Sequence, residues 1–293
     1  MKRILHIALT AAALLALNMN APAFAQFDFG KIGKLLENAS KVTDVAKDLT
    51  DANKEFTDEE EAALGEKFAS TFLGAVPLHS DANLQRYVNK VGQWIAANSE
   101  RPNLNWSFAV LDMPSVNAFA VPGGTIFVSS GLIKKMKSEA ELAGVLAHEI
   151  GHVLLRHHVH AYRNNSLKSG MGKIGSAALE RSKGSALGKE AAGILGNFVG
   201  SLYSKGLDKG DEFDADRVGV ILAARAGYDP YGLVVVLQKL AGLSSDKDIS
   251  MMSTHPSAAD RMAKIEEFTP VLDRFSTQLQ VESRFQRATA SLK

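Results

Sequence analysis

The chain has 293 residues, enough for one large domain or two ordinary ones, and its 46% hydrophobic content is that of a globular protein that can fill a core. Its formal net charge is +1, with acidic and basic residues interspersed, which argues against a nucleic-acid-binding protein with a basic face. Cysteine is absent, which excludes disulfides, thiolate metal sites and thiol nucleophiles.

The first 25 residues are typical of a cleaved signal peptide. A positive start is followed by the apolar run ILHIALTAAALLAL, and the small residues Ala23 and Ala25 predict cleavage before Gln26. A membrane anchor is the alternative, but the run is shorter than the roughly 20 residues that span a bilayer. We therefore expect export to the bacterial periplasm. Residues 26–56 follow as an N-terminal segment with amphipathic helical spacing, which favours packing on the core over lying on a membrane surface.

Helical and strand patterns alternate along the rest of the chain. Thr57 and the acidic residues after it predict the start of one helix, and apolar spacing predicts another over residues 80–98. The runs LNWSFAVLD and GTIFVSS predict strands of a small sheet, with NAFAVPGG between them. Further helices are predicted from Ser138, over residues 211–226 and over residues 228–241. The fold class is therefore α+β, mainly helical with a small β-sheet.

Two segments differ from this pattern. Residues 166–210 are rich in Gly, Ser, Ala and Lys, which indicates either a mobile loop or a weak amphipathic helix pair over a cleft. Residues 271–293 predict a polar helical C-terminal tail. We expect one main domain over residues 57–270, with the glycine-rich segment inserted in it.

The helix that starts at Ser138 carries the most informative motif, His148-Glu149-Ile150-Gly151-His152. A spacing of four puts both imidazoles on one helix face, as in zinc-binding His-Glu-x-x-His sites, with Glu149 placed to take a proton from water. The apolar flanks indicate that the helix is buried, where unpaired ionisable groups would be costly, so a metal explains them better than a polar surface turn. Gly151 costs roughly 1 kcal/mol in a helix interior, which predicts close approach of another backbone there.

A catalytic zinc site needs three protein ligands and an open position. The resemblance of the motif to those of other zinc proteases suggests a third ligand, a carboxylate or a histidine, downstream on a second helix. The sequence GDEFDADRVG supplies Glu212, Asp214 and Asp216. Glu212 and Asp216 are four apart and share a face, while Asp214 points elsewhere. This spacing favours Glu212 as the third ligand and Asp216 as a residue that orients a ligating imidazole. An acidic, solvated first helical turn is the alternative.

Five ordered motifs resemble those of a single family: NAFAVPGG (117–124), SEAELAGVLAHEIGH (138–152), the HEIGH within it (148–152), EFDADR (212–217) and STHPS (253–257). In this order they are similar to the gluzincin-type zinc metallopeptidases of peptidase family M48, which include HtpX, the CAAX prenyl endopeptidases, BepA and LoiP. The similarity runs over about residues 58–268 and is greatest to the periplasmic branch, because the chain has a predicted signal peptide and no predicted transmembrane helix.

The resemblance implies a role for each matching residue. His148, His152 and Glu212 would hold one zinc ion per chain, Glu149 would be the general base, and Asp216 would support a ligand. His255 would either stabilise the oxyanion or fill the fourth coordination site and keep the enzyme latent, with a helix-capping histidine as the alternative. An edge strand would pair with an extended peptide substrate through its backbone. Its residues are Asn117, Ala118, Phe119, Ala120 and Val121.

The implied function is a zinc-dependent endopeptidase of the periplasm that acts on unfolded or misassembled envelope proteins, with no nucleic-acid partner. Contact with a membrane surface or with the outer-membrane assembly machinery is a further option. The alternative is a latent or chaperone-like peptide-binding protein with a closed zinc site. Three features depart from the relatives: Asp214 stands where many have glutamate, no tetratricopeptide repeat domain is expected, and no cysteine is available for lipidation.

Three further histidines follow the motif: His157, His158 and His160. They indicate either a second metal site or, more simply, a polar helix end whose histidines interact with the helix dipole. Asn164 and Asn165, with the glycine-rich run after them, are interpreted as the start of a lid over the cleft.

Overall fold

A computed structural model describes residues 56–168, 199–202, 206–242, 255–276 and 278–292. The predicted signal peptide, almost all of the predicted N-terminal helical segment, and most of the glycine-rich segment lie outside the described residues. No helix in the described ranges is both long enough and apolar enough to cross a membrane.

The described part of the chain is mainly helical, with one small sheet, which confirms the predicted fold class. The helices are α1 (Asp58–Leu73), α2 (Ala82–Ala97), α3 (Ser130–Lys135), α4 (Glu139–Leu154), α5 (His157–Lys168), α6 (Lys209–Arg225), α7 (Gly232–Gly242), α8 (Ala258–Glu266), α9 (Thr269–Leu272) and α10 (Glu282–Ala288). The strands are β1 (Ser107–Leu111), β2 (Ala118–Val121) and β3 (Thr125–Ser129).

The sheet has the order β1-β3-β2. Strand β3 lies in the middle, parallel to β1 and antiparallel to β2, with Phe119 opposite Phe127 in the register. A short 3₁₀ turn, Pro122–Gly124, joins β2 to β3, and both of its glycines have positive φ, 79° at Gly123 and 103° at Gly124. Glycine adopts these angles without the steric penalty of a Cβ atom, so it allows a tight connection between the two strands.

Both faces of the sheet are buried, because the alternating side chains of each strand enter two different apolar clusters. On one face, Ala118 and Ala120 join the larger cluster with α2, α4, α6 and α7. On the other face, Phe119 and Val121 join a smaller cluster with α1 and Tyr162 of α5. Strand β2 is thereby fixed between α1 and α4, and this places it beside the motif helix.

Helix α4 is the buried centre of the fold. Ser138 caps its N-terminus by accepting a hydrogen bond from the backbone N–H of Glu141, and every residue of the helix before Leu154 is buried. Helices α6 and α7 pack along it. The backbones of α4 and α6 approach each other closely at two glycines. A Cβ atom added at Gly151 would lie 3.0 Å from the Ala215 carbonyl oxygen, and one added at Gly219 would lie 2.9 Å from the backbone of His148. The close approach predicted for Gly151 is confirmed.

The sequence predicted the start of a helix correctly where a capping residue lies directly before that helix. Thr57 caps α1 in a capping box with Glu60, as the sequence predicts. Helix α7 instead begins at Gly232, four residues later than predicted. The reason is that Tyr228 forms a bridge with Leu279 and donates its hydroxyl hydrogen bond to Glu139, so this segment is held by distant parts of the chain.

Candidate metal centre

Two facing helices bring the predicted ligands together. His148 and His152 lie one turn apart on α4, and Glu212 lies in the first turn of α6; all three side chains are at most 1% exposed. The glycine contacts described above let these helices approach closely enough for the side chains to converge. His255, three residues before the start of α8, completes the group.

The geometry of this group fits a metal ion. One ligand atom from each of the four residues lies within 4.8 Å of the others. Nε2 of His148 is 3.1 Å from Nε2 of His152, and the carboxylate of Glu212 is 3.7 Å and 3.5 Å from these nitrogens. Tetrahedral zinc with bonds of about 2.1 Å separates its ligand atoms by about 3.4 Å. In addition, Oε1 of Glu212 is buried without a hydrogen-bond partner among the described residues.

Glu149 lies beside the cluster and faces the same cleft. Its side chain is 1% exposed, and Oε1 has no hydrogen-bond partner in the described part of the chain. Burial raises the pKa of Glu149 above its ordinary value, and the nearby His148 and His255 oppose that rise without cancelling it. A buried carboxylate with a raised pKa and an unpaired oxygen is suited to accepting a proton.

The other ring nitrogen of His148 is held by a buried ion pair. Nδ1 of His148 lies 2.9 Å from Oδ1 of Asp216, and Asp216 also accepts hydrogen bonds from Nε and a terminal nitrogen of Arg261. Burial alone would raise the pKa of Asp216, but the charge and hydrogen bonds of Arg261 outweigh it and lower the pKa. Through this contact Asp216 would orient the ring of His148, a role that stays a prediction.

Arg261 was missed by the sequence analysis, although it is 1% exposed and lies on α8 in direct contact with Asp216. A charged residue in a short amphipathic helix, Ala258–Glu266, that carries other charged residues gives little local signal. Its position in DRM, shortly after the STHPS motif, was the one available pointer. By contrast, Asp214 is exposed and pairs with Arg217 at 3.5 Å, away from the cluster.

The histidines after the motif do not form a polar helix end. Helix α4 stops at Leu154, Arg156 takes a left-handed conformation with φ of 53°, and His157 begins a new helix. His157 and His158 are buried, at 5% and 6% exposure, and burial lowers the pKa of their imidazoles to about 4 and about 3. The polar-end interpretation is therefore wrong for these two residues, whereas His160 is exposed.

His255 contacts the cluster directly. Its Nδ1 forms a short hydrogen bond with Oε2 of Glu212. Burial acts to lower the pKa of His255, but the negative charge of Glu212 outweighs it and raises the pKa; the same contact lowers the pKa of Glu212 against the effect of burial. His255 is thus placed on the ligand side of the cluster and does not serve as a helix cap, a role that Ser257 performs for α8.

A cleft opens onto these residues, and it encloses about 320 Å³ when the open solvent at its mouth is counted. Its lining combines the end of the sheet with the motif helix and the start of α6: Asn117, Ala118, Phe119, Glu149, His152, His158, Leu202, Gly206, Leu207, Glu212 and His255. Of the five residues predicted for the edge strand, Asn117 lies just before β2, and Ala120 and Val121 are not part of this lining. Oδ1 of Asn117 and Nδ1 of His158 are buried without partners among the described residues.

Comparison of the sequence with known proteins identifies relatives of this chain. A family model described as "Peptidase family M48" matches residues 82–269. The β-barrel assembly-enhancing protease of Yersinia pestis is 32% identical over 211 residues, which are 70% of this chain and 43% of that protein. Its Escherichia coli K12 counterpart is 28% identical over 210 residues, 70% of this chain and 42% of that protein. Mitochondrial metalloendopeptidase OMA1 of Arabidopsis thaliana is 33% identical over 182 residues, 62% of this chain and 35% of that protein. The chain thus spans less than half the length of these three relatives.

Proposed function

The chain belongs to peptidase family M48, and on that premise we propose that it is a zinc-dependent endopeptidase of the bacterial periplasm. Its substrates in this proposal are unfolded or misassembled envelope proteins. The observation that carries the proposal is the convergence of His148, His152 and Glu212 on one point beside the buried carboxylate of Glu149. Two imidazoles and a carboxylate form the donor set of many catalytic zinc sites.

Each residue has a separate task in the proposed reaction. His148, His152 and Glu212 would hold the zinc ion, and Asp216 would fix the ring of His148. When bound, zinc supplies Lewis acidity, which lowers the pKa of water and polarises a carbonyl group. Glu149 removes a proton from the attacking water and then delivers it to the nitrogen of the departing amine, so that one carboxylate serves as base and as acid.

Substrate binding is proposed along β2. Asn117, Ala118 and Phe119 line the same cleft as Glu149, so an extended peptide that follows this strand would pass the base. Main-chain pairing of this kind recognises extended chains with little dependence on their side chains. That property suits unfolded substrates. The names of the relatives, which refer to β-barrel assembly and to endopeptidase activity, support an envelope protein as the substrate.

The direct test is Glu149→Gln in the purified mature protein. We expect zinc content close to one ion per chain and loss of casein cleavage by at least 10³-fold, because the amide cannot accept the proton. Glu60→Gln is a matched control. Glu60 is a surface residue of α1 that accepts a hydrogen bond from the backbone N–H of Thr57, and it is far from the motif in sequence. Undiminished cleavage by Glu149→Gln would remove Glu149 from the mechanism, and purified protein without zinc would reject the metal site.

A second candidate function is favoured by one observation, the direct contact of His255 with Glu212 inside the cluster. If His255 were the fourth ligand, the site would be closed to water, and the protein would be a latent enzyme or a chaperone-like peptide-binding protein. His255→Ala separates the two cases. Higher proteolytic activity after the substitution supports latency, and lower activity supports stabilisation of the oxyanion by His255.

A further inference from the structure

The second ring nitrogen of His152, Nδ1, contacts His157, a residue that lies outside the sequence motifs. We propose that His157 is a positioning residue, which holds the imidazole of His152 in the tautomer and orientation that place Nε2 in the ligand cluster. This inference rests on the proposed zinc site. It concerns the histidine immediately after the helix break, five residues from the ring that it contacts.

The proposed role of Nε2 of His152 as a zinc ligand sets the direction of the hydrogen bond between His152 and His157. Nδ1 of His152 lies 3.0 Å from Nδ1 of His157, and the rings stand at 71° with centroids 5.2 Å apart. One proton is shared between these two nitrogens. Nε2 of His152 belongs to the ligand cluster, so it must present a lone pair, and Nδ1 must then carry the proton. Nδ1 of His157 is therefore the acceptor. Its own proton lies on Nε2, which is 3.7 Å from Oδ1 of Asp211.

An uninterrupted helix would not bring these rings together. At 3.6 residues per turn, a side chain five positions on is rotated by about 140° from the first. The left-handed conformation of Arg156 redirects the chain so that His157 turns back beneath His152. Such a conformation is strained in a residue with a side chain, and it needs support from its surroundings.

Helix α1 and the residue before its cap supply that support. The guanidinium of Arg156 donates to the backbone carbonyl of Phe56 at 2.8 Å and to Asp58 at 2.7 Å, and its Nε lies 3.3 Å from the buried carboxylate of Glu61. Three contacts from a segment 95 or more positions away thus fix the break. The conformation at Arg156 is built into the fold, and its consequence is the position of His157.

The result is that each ligating imidazole has its second nitrogen occupied. Asp216 holds Nδ1 of His148, and His157 holds Nδ1 of His152. Partners of this kind set ring orientation, and removing one typically weakens metal binding 10–100-fold. The two partners differ in charge: Asp216 is an anion paired with Arg261, whereas the proposed role of His157 requires a neutral acceptor.

The test compares two substitutions of His157 in the full mature protein. His157→Phe fills the space without an acceptor, and His157→Gln keeps an acceptor oxygen. We expect His157→Phe to bind zinc 10–100-fold more weakly in competition with a chromophoric chelator, and His157→Gln to stay within about threefold of the parent. His160→Phe, three residues further on the same helix but exposed, is the matched control and should leave zinc affinity unchanged. Thermal unfolding of the metal-free proteins checks that the folds are intact.

Zinc affinity of His157→Phe within twofold of the parent would overturn the inference, as would equal weakening by His157→Phe and His157→Gln. A second measurement needs no variant. In ¹⁵N-histidine spectra of the zinc-loaded protein, His152 should carry its proton on Nδ1 and His157 on Nε2, and the opposite tautomer at His157 contradicts the proposal. These outcomes are distinct from failure of the proposed function, in which the parent protein would itself bind no zinc or cleave no substrate.

Discussion

The approach of α6 to α4 at Gly219 gives the sharpest test of how the fold builds the site. In Gly219→Ala the new Cβ atom would lie 2.9 Å from both Cα and N of His148. These are backbone atoms inside a buried helix, so they cannot rotate away. The two helices must separate by about 0.5 Å before the contact reaches 3.4 Å, the lower end of ordinary van der Waals distances.

Two opposing terms set the magnitude of the effect on stability. Alanine gains about 1 kcal/mol over glycine in helix propensity. Overpacking of a close helix contact costs about 1–3 kcal/mol. We therefore expect a net loss of up to about 2 kcal/mol in the free energy of unfolding. The metal site should be affected more, because Glu212 lies seven residues before Gly219, about 10 Å along the same helix. A shift of α6 moves its carboxylate away from His148 and His152, and we expect zinc affinity to fall at least tenfold.

Gly210→Ala on the same helix is the control, since nothing lies within 4 Å of its added Cβ atom. It should raise stability by up to about 1 kcal/mol and leave zinc binding unchanged. Urea unfolding of the metal-free proteins and chelator competition measure the two effects separately. If Gly219→Ala stabilises the protein as much as Gly210→Ala and keeps its zinc affinity, the close approach does not position the ligands and the reasoning is refuted.

Three further predictions concern single interactions. Asp216→Asn leaves Arg261 buried without its charge partner and should lower the free energy of unfolding in urea by about 3–5 kcal/mol. The double variant with Arg261→Met should recover part of this loss. A loss below about 1 kcal/mol would contradict the prediction. Burial acts to raise the pKa of Glu139, but the hydrogen bond and charge of Arg284 outweigh it and lower the pKa from 4.5. The stability that ionised Glu139 contributes is therefore present above pH about 4.5 and is lost as the pH falls through the lowered pKa. The stability gap between the parent and Glu139→Gln should accordingly narrow below pH 4.5, and a constant gap would exclude Glu139 as the titrating group. Thr57→Ala removes the cap of α1 and should cost about 1 kcal/mol, whereas Thr57→Ser should cost little.

The sequence predicted the elements whose signals are local. Ser138 before an acidic turn and an apolar run placed the start of α4 correctly, because the cap and its partner Glu141 are three residues apart. The same reasoning misplaced the start of α7. Tyr228 looks like a helix residue by propensity, yet its hydroxyl is bound to Glu139, 89 positions away, and its backbone bridges to Leu279. Contacts at such separation leave no periodic trace in the chain.

The same difference between local signals and contacts of distant residues applies to the candidate metal centre. Spacing placed His148 and His152 on one helix face, and spacing with the likeness to other zinc proteases pointed to Glu212; the structure places the three side chains together. Asp216 was predicted as a support from its spacing, but two other supporting residues, Arg261 and His157, could not be found in this way. Arg261 meets Asp216 across 45 positions, and His157 reaches His152 because Arg156 is fixed by residues about 100 positions earlier. Helical periodicity predicts that His157 faces away, so an expectation built on regular geometry fails where the chain departs from it.

Helix α4 buries five ionisable side chains, and their hydrogen-bond partners show which of them is left unpaired among the described residues. Each unpaired buried polar atom costs about 1–3 kcal/mol, so a stable helix of this kind should pair its charges. Other side chains pair four of the five: Glu139 is bound by two tyrosines and an arginine, Glu141 by a lysine, His148 by an aspartate and His152 by a histidine. Glu149 is different, because its Oε1 has no partner in the described part of the chain and faces the cleft. The other four ionisable side chains of α4 are paired, so the unpaired oxygen of Glu149 lowers stability and contributes no interaction within the described part of the chain. This is the free-energy cost expected of a group kept open for proton transfer, and it supports Glu149 as the base on grounds independent of its motif.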